Sequence, residues 1–138
     1  MIQQPRDERG VTAVEFVLIT PVLIVALLFT VGVARIAHAR HQIESAAADA
    51  ARAASLERNT AVAAKRGQVM AAQSIGSRGL SCADLQVSVD VSGYEPGGVV
   101  RATVTCRTRL SNVAMAGFPG GRTFTASASV PIETFRSN

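Results

Sequence analysis

From Val11 to Ala34 the chain reads VTAVEFVLITPVLIVALLFTVGVA, an apolar run in which Glu15 is the one charged residue. Coiled as a helix rising about 1.5 Å per residue it reaches about 36 Å, enough to cross a hydrocarbon layer of about 30 Å. Residues 35–58 follow without Gly or Pro and are dominated by Ala, the best helix former, so the helix is expected to continue past the apolar run as a stalk. Ile36, Ile43 and Ala50 recur every seven residues, as do Ala39, Ala46 and Ala53. Such a narrow small-residue seam suits either a sister helix or the chain's own domain. Asn59 or Thr60 is placed to cap a second helix ending near Ser77, with Val62, Val69 and Ala72 on one face, Lys65 and Arg66 solvated, and Gly76 and Gly79 closing it.

Beyond Leu85 the period changes to two. Leu85, Val87, Val89 and Val91 alternate with Gln86, Ser88, Asp90 and Ser92, which predicts a half-buried strand. The turn-rich interval Gly93–Gly98 leads to a second run in which Ala102, Val104, Cys106 and Leu110 share a face, giving a hairpin. Phe124, Ala126, Ala128, Val130 and Ile132 form a third run, and Pro131 on its opposite face marks an edge strand or a strand end. The predicted class is α+β: a long N-terminal helix that is transmembrane and extends as a stalk, a second helix, and a small C-terminal antiparallel three-stranded sheet covered by that helix. The expected divisions are a leader over 1–10, a transmembrane helix over 11–34, an extracytoplasmic helical region over 35–78 and a small β domain over 79–138.

Composition narrows what so small a domain does. Aromatics make up only 4% of the 138 residues and Trp is absent, so Ala and Val carry the apolar character, favouring close helix contacts over a deep aromatic pocket. The net charge of +4 comes from scattered basic residues with no stacking platform, and nucleic-acid binding is not expected. Cys82 and Cys106 lack the CxxC spacing of a metal site; one disulfide joining the second helix's end to the sheet fits better than two separate buried thiols. Such a bond persists on the oxidising side of a membrane, which places the N-terminus in the cytoplasm. The basic residues on the two flanks, Arg6 and Arg9 against Arg35, Arg40 and Arg52, do not decide orientation.

An ionised carboxylate in the middle of a lipid-embedded helix costs about 2.5–3.5 kcal/mol, less near the interface, where snorkelling relieves it. Glu15 is preceded by Arg6, Asp7, Glu8, Arg9 and Gly10, a short polar leader that ends in a glycine. If a peptidase cut after Gly10, the new amine on Val11, with a pKa of about 8, would be a cation one helical turn before Glu15. Arg9-Gly10, then Val14-Glu15-Phe16, Pro21 and a Leu/Val-rich span resemble a class III signal peptide and, more widely, TadE-like proteins of the tight-adherence (Tad/Flp) pilus system. The Ala-rich stretch from Ala46 to Leu56 and the Cys-containing β tail extend the resemblance.

The resemblance implies that prepilin peptidase cleaves between Gly10 and Val11, that Glu15 with Phe16 forms the recognition and packing motif, and that the subunit passes to a platform driven by an ATPase. The partners it implies are prepilin peptidase, other pilin or pseudopilin subunits, the assembly platform's membrane proteins and membrane lipid. Phe16 in place of the Tyr of major Flp pilins, and the long C-terminal extension, favour a minor subunit, with the TadE and TadF types undivided. No cofactor, metal or enzymatic activity is expected. His38, His41 and Glu44 lie loosely on one side of the stalk, but their spacing is not that of a zincin and a solvated face explains them. The glycines of the loop Ala116–Gly121 do not follow a phosphate-binding pattern, and Phe118 within it is expected to plug the core. The competing reading is a signal-anchored or secreted binding module unrelated to pili, either uncut or cut after Ala37-His38-Ala39.

Overall fold

The computed structural model describes residues 9–108 and 121–135, with side chains from Val14 onward. The leader residues 1–8, Leu110 and Phe118 lie outside the described residues. The elements run α1 (Arg9–Ser55), α2 (Thr60–Ser77), β1 (Cys82–Asp90), β2 (Val99–Thr108) and β3 (Arg122–Pro131), the α+β class expected. The chain divides into two compact units, one up to Ala37 and one from His38 onward.

In the second unit the Ala-rich half of α1 is the floor of the core. Gln42, Ile43, Ala46, Ala47, Ala50, Ala51 and Ala54 are buried, a set that advances by three and four residues along one helical face. This face follows the 3.6 period of a straight helix. The expected heptad seam coincides with it at Ile43, Ala46 and Ala50, whereas Ile36 is exposed and Ala39 and Ala53 are only half-buried. Of the two uses open to the seam, the one seen here is packing within the domain: Ile43, Ala46 and Ala50 share a cluster with Ala102, Val104 and Cys106 of the sheet.

α2 begins as expected, with the Asn59 side chain accepting hydrogen bonds from the N–H groups of Ala61 (2.8 Å) and Val62 (3.4 Å). Its end is closed by Leu80 N–H donating to Ile75 O and Gly79 N–H donating to Gly76 O. That 6→1 and 5→2 pair requires a left-handed residue, and Gly79 supplies it at φ 72°. The buried face of α2 differs from the expected one. Ala63, Gly67, Ala71, Ser74 and Ile75 turn inward, while Val62 and Val69 are 49% and 43% exposed and Ala72 is exposed. The reason is steric, because α1 comes so near that a Cβ at Gly67 would lie 3.1 Å from the Ala50 carbonyl oxygen. Small residues admit that approach and valines do not. Asp49 of α1 ties the two helices further, accepting from Ser74 Oγ (2.7 Å) and Arg78 Nη2 (3.2 Å), and Gln42 Nε2 donates to Arg78 O (3.2 Å).

The sheet is antiparallel in the order β1-β2-β3. Central β2 buries Val100, Ala102, Val104, Cys106 and Thr108, whereas the inward residues of β1 and β3 are half-buried, as edge strands require. The outward rows are polar and pair across strands, Thr103 with Ser127 (2.9 Å) and Thr105 with Thr125 (3.2 Å). Tyr94, in the β1–β2 connection, carries its hydroxyl to the carbonyls of Ala54 (2.9 Å) and Glu57, tying that connection to the end of α1.

Candidate assembly site on the N-terminal helix

The first unit presents one helical surface. From Val14 to Val33 every large apolar side chain is at least 45% exposed, Phe16 at 72% and Phe29 at 73%. Among the described residues this is the one helix long and apolar enough to cross a membrane. Between Val14 and Ala34 the two hydroxyls bond within the helix: Thr20 Oγ1 donates to Phe16 O (2.6 Å) and Thr30 Oγ1 to Ala26 O (2.8 Å). Back-bonding of this kind satisfies polar groups in a medium that offers none. Pro21 lies inside the helix, and its missing N–H leaves the Val17 carbonyl without its usual intrahelical donor.

Glu15 is exposed on this surface and is the only acidic or basic side chain between Val14 and Ala34. Gly10 and Val11 fall in the first turn of α1, so Val11 and Glu15 are one turn apart on a continuous helix. This spacing is what ion-pairing requires: an amine at Val11, if the chain began there, and the Glu15 carboxylate would occupy neighbouring positions at the helix's positive end. Phe16 stands beside the carboxylate as a bulky apolar group.

The other candidates fall in the second unit. Glu44 is held by Arg40 at 3.1 Å and His38 Nε2 meets Gln42 Nε2 at 3.0 Å, so these two side chains are engaged along the helix with residues other than His41. Among the described residues no three His, Cys, Asp or Glu side chains gather as metal ligands would. Ala37-His38-Ala39 lies within the continuous helix.

Cys82 and Cys106 are joined in a disulfide with their Cα atoms 5.4 Å apart. A register irregularity between Cys82 and Asp84 makes the bond possible. Cys82 pairs with Thr108 but Asp84 with Arg107, so Ala83 is an extra residue that turns Cys82 to the inner face shared by Cys106. The bond thus links the start of β1 to β2, directly after the turn that closes α2. Sequence reasoning missed the bulge, and it also passed over Asp49 and Tyr94, whose contacts lie 25 to 40 residues away along the chain.

An apolar helix with one carboxylate near its start, joined in sequence to a disulfide-bonded α+β domain, defines a class: a protein with one candidate membrane span ahead of a small folded unit. Within that class, residues 10–52 match the family model of TadE-like protein, and the likeness is confined to that stretch. The match begins at Gly10, takes in Glu15, Phe16 and Pro21, and ends in the Ala-rich half of α1; the sheet lies beyond it. The family points to involvement in Tad pilus systems. No curated protein and no solved structure matches the chain.

Proposed function

We propose that this chain is a minor pilin-like subunit taking part in assembly of a Tad/Flp-type pilus or a related secretion apparatus, in a structural role rather than a catalytic one. The observation that carries the reading is Glu15, a lone carboxylate on an exposed apolar helix, one turn after Gly10-Val11 and inside the TadE-like segment. Prepilin peptidase removes residues 1–10, and the new Val11 amine offsets Glu15 on the same helix or on a neighbouring subunit. The exposed apolar surface of residues 14–33 packs first against lipid and then against sister subunits in the fibre. The unit from His38 onward stands outside the cytoplasm, a placement supported by its disulfide, which a reducing compartment would not preserve.

Mass spectrometry of the protein recovered from pilus-forming cells tests this reading. A mature N-terminus at Val11 is expected. An intact Met1, or a start after Ala39, would overturn processing and leave an anchored or secreted domain with no link to pili.

A further inference from the structure

The two edges of the sheet are not alike. β1 is interrupted by its bulge at Ala83, whereas β3 pairs with β2 without a break from Arg122 to Pro131. Among the described residues no strand lies on the outer side of β3. The direction of its peptide groups follows from one bond: Ile132 N–H donates to Gly98 O at 2.8 Å, so by alternation the even-numbered residues face β2. Thr123, Thr125, Ser127 and Ser129 then direct their N–H and C=O groups away from the sheet, and only Pro131, at the strand's end, lacks a donor. A regular edge of this length without a bulge or a central proline, its one charge confined to Arg122 at the first position, is a template for another strand.

We propose that this edge pairs with the same edge of a second copy of the chain, antiparallel and centred on Ser127. The sequence of β3, RTFTASASVP, is complementary to itself in that register. On the outer face Ser127 meets Ser127 and Thr125 meets Ser129, extending the hydroxyl pairs that Thr125 and Ser127 already make with β2. On the inner face Phe124, half-buried in one copy, stands opposite Val130 of the other, an aromatic–β-branched pair of the kind that stabilises sheets. The charges agree as well. Arg122 is the strand's one charged residue, and Glu133 follows its other end, so antiparallel pairing brings the Arg122 end of each copy to the Glu133 end of the other and keeps the two arginines apart.

Ser127→Cys in the full-length chain, oxidised in membranes, tests the arrangement. Directly opposed hydrogen-bonded residues have Cα atoms about 5.5 Å apart, within disulfide reach, and Cys82 and Cys106 are already bonded to each other. The expected product is a disulfide-linked species of twice the chain mass. Thr103→Cys, one strand in from the edge, is expected to stay monomeric, and adding Thr125→Pro to Ser127→Cys, which removes an outward N–H, is expected to reduce the product at least tenfold. The pairing is overturned if Ser127→Cys stays monomeric, if Thr103→Cys links equally well, or if Thr125→Pro changes nothing. A linked product of any other mass would also overturn it, assigning the edge to a strand from a different protein.

Discussion

Gly67 sits where α2 meets both α1 and the sheet, and a hydrogen in place of a methyl decides how close the three come. A Cβ there would lie 2.8 Å from Val89 Cγ2, 3.1 Å from Ala50 O and 3.5 Å from Ala54 Cβ. The first neighbour is a stiff β-branched side chain and the second is backbone, so neither gives way easily. Gly67→Ala gains helix propensity worth about 1 kcal/mol and meets overpacking of about 1–3 kcal/mol, so the balance is expected to be destabilising. A lower denaturation midpoint of the detergent-solubilised chain checks this. Asp90, at the end of β1, carries a pH dependence of known sign. Its carboxylate accepts the Ser92 N–H at 2.9 Å, and this bond, then the Ser92 side chain and the nearby Arg101, holds its pKa below the ordinary 3.8. Because the folded value lies below the unfolded one, the contribution to stability is complete above the unfolded pKa and is lost as pH falls through the folded pKa. In Asp90→Asn the acid-side loss of stability is expected to be smaller than in the parent, measured as the change in unfolding midpoint as pH is lowered from above to below the ordinary 3.8.

At the scale of elements, α1 is one helix with two kinds of surface. Residues from Val14 to Val33 expose their apolar side chains, whereas Ile43 to Ala54 bury small ones against the sheet and α2. The heptad reading and the observed face differ most plainly at Ala47, which lies outside the seam yet is 0% exposed. Ala47→Leu is therefore expected to overpack the core and cost about 1–3 kcal/mol, read as a lower thermal midpoint, while a heptad seam would leave it neutral. The alternating strands, the Asn59 cap and the glycine stop after α2 were legible because each rests on local chemistry with a fixed spacing. The inner face of α2 was not. Hydrophobicity points to Val62 and Val69, but a helix pressed close to its neighbour turns Ala63, Gly67 and Ala71 inward and leaves the valines out. The bulge at Ala83 was equally hidden, since one unpaired residue ahead of a clean alternation leaves no mark on the period. Of the candidate site, Glu15 stood out because a charge in an apolar run has few bland explanations; the contacts of Asp49 and Tyr94 depend on partners far along the chain.

For the whole molecule, the division at Ala37 and His38 sets the exposed apolar helix in one unit and the packed core in the other. The core residues from Ile43 to Ile132 all belong to the second unit, and so does the disulfide. With a sequence separation of 24, closing that loop is worth about 3 kcal/mol in the chain-entropy account, a large share of what so small a domain possesses. Glu15 belongs to the other unit. Glu15→Ala makes the apolar run uninterrupted, so insertion is expected to proceed as well as before or better, and the Cys82–Cys106 bond is expected to form in full. On the function proposed above, incorporation is expected to fail, because an amine freed at Val11 would lack its counter-charge. Membrane fractionation, non-reducing electrophoresis and analysis of sheared pili read these three properties in one strain. Normal incorporation of the variant would remove the carboxylate from the proposed assembly step, whereas loss of the disulfide would show that folding of the second unit depends on how the helix is inserted.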